Sequence, residues 1–225
     1  MPIIAEKKEG GNIISVEPGT YVARCYSMIE IGTIEVTFKG ETKKQHKVAV
    51  TWELPTETAI FNEDKGPEPF VVSKKYTLSM HEKSNLRKDI EAWRGKGYTE
   101  EEAKRFDITK LLGQPCLLSV IQSPRPDDPA KTYTSISSIT KMMKGQDCPD
   151  QINPTKVLSY DAFDWTVFES LSDYMKDLIR SSDEFKRMQE PNQTHTEEGS
   201  QEELNDLPFI LTIPIALGFM MQFIL

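Results

Sequence analysis

A β-rich α+β fold is what this 225-residue chain predicts, with several curved strands, then a helix, then two more strands. Three observations point to it. Short runs of apolar residues alternate with polar ones at a period of two, which is the mark of strands with one buried face. Glycine and clusters of Pro, Asp and Asn punctuate those runs at short intervals. One strongly amphipathic helix with clear start and stop signals then interrupts the series.

The first strand is expected over Tyr21 to Ile31, with Ala23, Cys25, Ile29 and Ile31 on one side and Arg24, Tyr26 and Glu30 on the other. Gly32 reads as a break. A second strand, Thr33 to Phe38, aligns Ile34, Val36 and Phe38 before a turn at Gly40. The third runs from Lys44 to Leu54 with Val48, Val50, Trp52 and Leu54 on one face, and Pro55 to Pro69 reads as a mobile excursion rich in turn formers. Phe70 to Met80 returns as a fourth extended run. The helix follows because Ser84 can cap it, Leu86, Ile90 and Trp93 recur at helical spacing, and Gly95 supplies a stop. Thr99 with Glu102 forms a capping box for a second short helix to about Phe106, and Leu111-Leu112-Gly113 closes the segment. Pro115 to Gln122 and Lys131 to Thr140 are the last strands, joined by the loop Ser123 to Ala130. That order resembles the OB-fold, a small Greek-key barrel with a helix between core strands.

The domain plan is therefore a flexible N-terminus over 1–17, an OB-like domain over 18–145, and a helical extension over 146–189. In the extension, Phe163, Val167, Leu171, Met175, Leu178, Ile179 and Phe185 fall at roughly helical spacing. A disordered acidic tail over 190–209 and an apolar extension over 210–225 complete it. A hydrophobic fraction of 38% and a charged fraction of 28% fit one main domain with a solvated arm.

The net charge of −8 is unevenly placed. Residues 190–209 hold six carboxylates, Glu190, Glu197, Glu198, Glu202, Glu203 and Asp206, and no Lys or Arg. Residues 73–96 carry Lys74, Lys75, Lys83, Arg87, Lys88, Arg94 and Lys96 against Glu82, Asp89 and Glu91. A second basic stretch holds Lys39, Lys43, Lys44 and Lys47. A body of this kind can offer a positive surface to a polyanion although the whole chain is acidic.

Unpaired nucleic acid requires cations for its backbone and flat side chains for its bases. Arg24 and Tyr26 project from the non-core side of the first strand, Tyr98 follows the basic helix, and Tyr133 lies near Lys131. Lys83, Arg87 and Arg94 avoid the apolar stripe of the helix and are expected to meet phosphates. The candidate strand-binding set is thus Arg24, Tyr26, Lys43, Lys44, Lys47, Lys74, Lys75, Lys83, Arg87, Lys88, Arg94, Lys96, Tyr98, Lys131 and Tyr133.

Catalytic chemistry finds no constellation. His46, His81 and His195 are isolated, and neither a phosphate-binding glycine loop nor a nucleophile motif occurs. Cys25, Cys116 and Cys148 are odd in number and widely spaced, which supports neither a disulfide framework nor a zinc site and reads as buried thiols. No metal or cofactor is expected. The first eleven residues contain no apolar signal core, so the expected compartment is reducing cytoplasm.

The blocks Trp52-Glu53-Leu54-Pro55, Ser73-Lys74-Lys75-Tyr76-Thr77-Leu78-Ser79, His81-Glu82-Lys83-Ser84-Asn85-Leu86-Arg87-Lys88, Trp93-Arg94-Gly95 and Leu111-Leu112-Gly113-Gln114-Pro115-Cys116 resemble a family of phage-encoded replication and recombination proteins. The likeness spans about residues 18–145. It implies an OB-fold that binds single-stranded DNA in a bacterial host cell. The stretch ending Asp206-Leu207-Pro208-Phe209 is similar to the acidic tail of bacterial and phage single-stranded DNA-binding proteins, whose Asp-x-Pro-Phe tip docks replication and repair enzymes. The resemblance gives Asp206, Leu207, Pro208 and Phe209 a partner-docking role.

The departure from that pattern is the segment 210–225, which replaces the terminal carboxylate of Phe209 with a peptide bond. From Leu207 to Leu225 there are 19 residues without a charge, about 28 Å if helical, close to a bilayer core. Pro208 and Pro214 weaken such a helix, and no Lys or Arg flanks it. Two readings follow: a DNA-coating protein that recruits replication or recombination partners, or a tail-anchored or homo-oligomerising adaptor with an OB-like protein-binding domain.

Overall fold

The computed structural model describes residues 15–124 and 132–189. The acidic tail, the apolar extension, Lys131 and the docking tip Asp206 to Phe209 lie outside the described residues, as does most of the expected N-terminal arm. Described residues form a mostly antiparallel six-stranded sheet with helices, hence β-rich α+β. No helix among them is long and apolar enough to cross a membrane.

The strands are β1 (Gly19–Phe38), β2 (Glu41–Ala59), β3 (Glu68–Thr77), β4 (Pro115–Pro124), β5 (Thr132–Thr140) and the short β6 (Lys156–Leu158). The sheet order is β3-β2-β1-β4-β5, with β6 added in parallel to β1. β3 and β5 end the order and approach each other, without a shared ladder. Between β3 and β4 lie α1 (Asn85–Arg94), α2 (Glu100–Lys104) and a single 3₁₀ turn, Ile108–Leu111. After β6 come α3 (Trp165–Glu169), α4 (Asp173–Arg180) and α5 (Asp183–Gln189).

Gly32 does not end the first strand. β1 is a single 20-residue strand that passes through Gly32 at φ 92°. Its pairing with β2 slips between Cys25 and Ser27 and again between Glu30 and Gly32. Each bulge inserts one residue and reverses which side chains face inward. Cys25 and Met28 consequently join one core, whereas Ile29 and Ile31 join another. β2 likewise extends to Ala59, so the excursion expected from Pro55 begins five residues later than the proline suggested.

The first core lies inside the curled sheet. Trp52, Leu54, Tyr76, Cys116, Leu118 and Val120 fill it, and α1 covers it with Leu86, Ile90 and Trp93. Trp52 and Trp93 meet at 5.7 Å, and the Trp93 Nε1–H donates to the Pro115 carbonyl at 2.8 Å. Ser84 caps α1 by accepting from the Arg87 amide, and Gly95 ends it in the left-handed region at φ 67°. The capping box of Thr99 and Glu102 is present on α2.

The second core joins the sheet to the helical extension. Ile29, Ile31 and Ala49 pack against Phe168, Ile179 and Phe185, with Phe163, Val167, Leu171, Met175 and Leu178 around them. Beyond Arg24, β1 has left β4, and its edge needs other partners. Gly113 donates to the Cys25 carbonyl at 2.7 Å, and β6 pairs with Ser27 to Ile29. The Tyr160 hydroxyl donates to the Ile31 carbonyl at 3.0 Å, and the Thr33 amide donates to Glu184 at 2.6 Å. The extension is thus stitched to β1 by backbone bonds as well as by apolar burial.

Candidate nucleic-acid interface

An open groove of about 420 Å³ lies along the Lys74–Thr77 end of β3, bounded by Lys47 of β2 and by His81, Lys83, Ser84 and Asn85 at the start of α1. Its geometry follows from register, because Lys47 pairs with Thr77 and Ala49 with Lys75 across the two strands. The Lys47 ammonium donates to Thr77 Oγ1 at 3.1 Å. Burial, and then the neighbouring Lys75 charge, hold the Lys47 ammonium below its ordinary range. Lys75 stands 4.5 Å over the ring of Tyr174 and donates to its hydroxyl at 2.6 Å. Among the described residues, Lys47, Lys75 and Lys83 form no ion pair with a carboxylate. Three uncompensated ammonium groups around one groove create a local positive potential suited to a polyanion.

A second groove, also about 420 Å³, sits at the other end of β3. Tyr26, Phe61, Phe70, Val71, Thr134 and Asn153 line it together with Glu68, and no Lys or Arg takes part. Tyr26 occupies the first bulge of β1 and is half-buried. Burial first and the Glu53 charge second push its phenol above the usual range. Phe61 packs edge-on against Phe70 at 5.2 Å and leaves 46% of itself exposed.

Other sequence candidates are placed elsewhere. Arg87 is buried and faces inward: it donates to Glu91 at 2.9 Å, to Glu100 at 3.2 Å, and to the carbonyls of Met80 and Tyr98 at 3.2 and 3.0 Å. Arg94 lies 4.1 Å over the ring of Tyr98, which is itself buried against Phe106. Arg24 donates to the carbonyls of Gly113, Cys148 and Pro149 at 2.7, 2.9 and 2.8 Å. These four residues pack against or brace the fold. A guanidinium offers five donors, and a nearby set of backbone carbonyls competes successfully with solvent for them.

Lys74 turns under α1 to pair with Asp89 at 2.7 Å, beside the Tyr76 hydroxyl that donates to the same carboxylate. Lys44 pairs with Asp183 at 2.8 Å and Lys43 with Glu41 at 2.8 Å. Lys88 and Lys96 are exposed on and after α1. Tyr133 is exposed on β5, opposite Ser123. Among the described residues the expected set is therefore dispersed, and Lys47, Lys74, Lys75 and Lys83 are the members gathered around one groove.

Phe61, which lines the second groove, and Tyr174, the ring under Lys75, are the two aromatic residues that sequence reasoning missed. Tyr174 was hidden in a run read only for its apolar stripe, and Phe61 in a segment read only for its turn formers. A third concavity, about 410 Å³, is lined by Glu30, Asp107 and Asp161 as well as Lys104 and Arg105. Its mixed charge suits a polyanion less well.

Comparison with known proteins finds no matching family model, no matching curated protein and no matching solved structure.

Proposed function

We propose that this chain is a non-enzymatic single-stranded DNA-binding protein built on an OB-fold. The observation that carries the reading is the groove of Lys47, Lys75 and Lys83 beside β3, cationic in a chain of net charge −8. Support for the fold assignment comes from the order β3-β2-β1-β4-β5, with β1 shared by both halves and α1 between β3 and β4. Exposed rings near β3, Tyr174 beside Lys75 at one end and Phe61 in the cation-free groove at the other, supply the flat surfaces that unpaired bases need. The resemblance to phage replication and recombination proteins extends the proposal to coating of unwound strands in a bacterial cytoplasm. Recruitment of partner enzymes through Asp206, Leu207, Pro208 and Phe209 belongs to the same proposal.

Fluorescence anisotropy with labelled oligonucleotides tests it. Single strands are expected to bind more tightly than duplex, with affinity falling steeply as salt rises. Lys47, Lys75 and Lys83 changed together to Glu are expected to abolish binding. Changed instead to Gln, they are expected to lower the magnitude of the salt slope by roughly 2, the release expected for three phosphate contacts on a single strand. Absence of binding by the unaltered chain at low salt would overturn the reading.

A further inference from the structure

Resting on the reading of the lysine groove as a strand-binding site, we propose that β3 is a track. An unpaired strand runs along it from the lysine groove to the aromatic groove, where Tyr26 and Phe61 take nucleobases.

Both grooves border the same terminal strand of the sheet, one at each end. Between them Val71, Ser73 and Lys75 form an exposed row on one face of β3. Phe70 and Lys75 are five residues apart, about 16 Å of strand. That is a span for a few nucleotides, in keeping with the roughly 4 to 16 that a barrel of this class covers.

Charge divides the track into two kinds of site. Cations concentrate at the Lys75 end. The Phe61 end has no cation and carries Glu68, so it repels phosphate and favours the uncharged face of a base. Phe61 is held on edge by Phe70 at an interplanar angle of 84°, which fixes the ring while leaving nearly half of it open. A flat side chain fixed before binding loses little entropy when a base stacks on it. Thr134, also in the groove, carries a hydroxyl that can meet a base edge, as can the side-chain oxygen of Asn153, whose amide nitrogen donates to Glu53 at 2.7 Å. Asn153 belongs to the segment after β5, so the helical extension contributes to the track and does more than fill a core.

The test compares two ligands of equal length, an oligothymidylate and an abasic strand that keeps the phosphates. Phe61→Leu preserves apolar packing on Phe70 and removes the flat ring. It is expected to weaken oligothymidylate binding roughly 5- to 150-fold, to leave abasic binding and the salt slope unchanged, and to keep the melting temperature. Lys75→Glu is expected to weaken both ligands. If Phe61→Leu binds oligothymidylate like the unaltered chain while Lys75→Glu is impaired, the track is overturned and strand binding stands. Equal losses on both ligands with Phe61→Leu also overturn it, since Phe61 would then act through the fold. If the unaltered chain binds neither ligand at low salt, the underlying reading fails with it.

Discussion

Arg87 illustrates how one side chain can organise a whole segment. Its guanidinium closes the gap between α1, the loop before it and the loop after it by holding Glu91, Glu100 and the carbonyls of Met80 and Tyr98. Replacement by Met keeps the apolar stem and strands those acceptors, so Arg87→Met is expected to lower the melting temperature by several degrees or more. Arg87→Lys is expected to rescue little, because one ammonium cannot reproduce the fork. Glu53 makes a comparable junction on the other side of the sheet. It is fully buried and accepts from the amides of Ile152 and Asn153 at 2.6 and 2.7 Å and from Asn153 Nδ2 at 2.7 Å. Glu53→Ala is expected to destabilise by about 3 kcal/mol or more, read by urea unfolding, because three donors lose a charged acceptor. The three thiols are buried and unpaired. Burial pushes the Cys25 thiol up to about 12, and raises Cys116 and Cys148 as well. All three are therefore expected to resist a thiol reagent at neutral pH in the native protein and to react on unfolding, counted by absorbance.

At the scale of elements, the bulge just before Gly32 decides how the helical extension attaches. A Cβ on Gly32 would lie 2.7 Å from Glu184 Oε2 and 2.8 Å from the Ser182 Cβ, on a backbone at φ 92°. Gly32→Ala is expected to cost at least about 1–2 kcal/mol from backbone strain alone, with α5 displaced and proteolysis of the C-terminal helices accelerated. Burial disfavours the Glu184 carboxylate, but the Thr33 amide and hydroxyl more than offset it and hold the group below the usual carboxylate range. A depressed folded value means that its stabilisation is complete above the unfolded value of about 4.3 and is lost as pH falls through the folded one. Melting curves between about pH 5 and about pH 3 are expected to drop less steeply for Glu184→Gln than for the unaltered chain. Helix α1 was legible in full, from Ser84 to Gly95, because caps and stripe are local signals. The continuity of β1 was not, since a glycine inside a strand looks like a turn until its hydrogen-bond partners are known. Gly32 is held in the strand by Lys47 across the ladder, a residue 15 positions away.

For the whole molecule, the helical extension and the sheet share a core, and this shapes what a truncated chain should do. A chain ending at Lys144 would lose β6, α3, α4 and α5, expose Ile29, Ile31 and Ala49, and leave the β1 edge beyond Ser27 unpaired. It is expected to aggregate or melt far lower than the full chain, measured by light scattering and thermal denaturation. Salt dependence is also a whole-molecule property: the acidic stretch 190–209 and the lysine groove have opposite charge. Composition and local pattern were enough to establish the fold class, the capped helix, the apolar residues of the extension and the basic character of the β3 and α1 segments, since each depends on neighbours within a few positions. Only tertiary structure could divide the cations into those that brace and those that face solvent. Arg24, Arg87 and Arg94 look no different from Lys47, Lys75 and Lys83 along the chain. What separates them is whether carbonyls, carboxylates or a ring from distant segments surround the charge, and that is settled by the bulges of β1 and by how the loops close around α1.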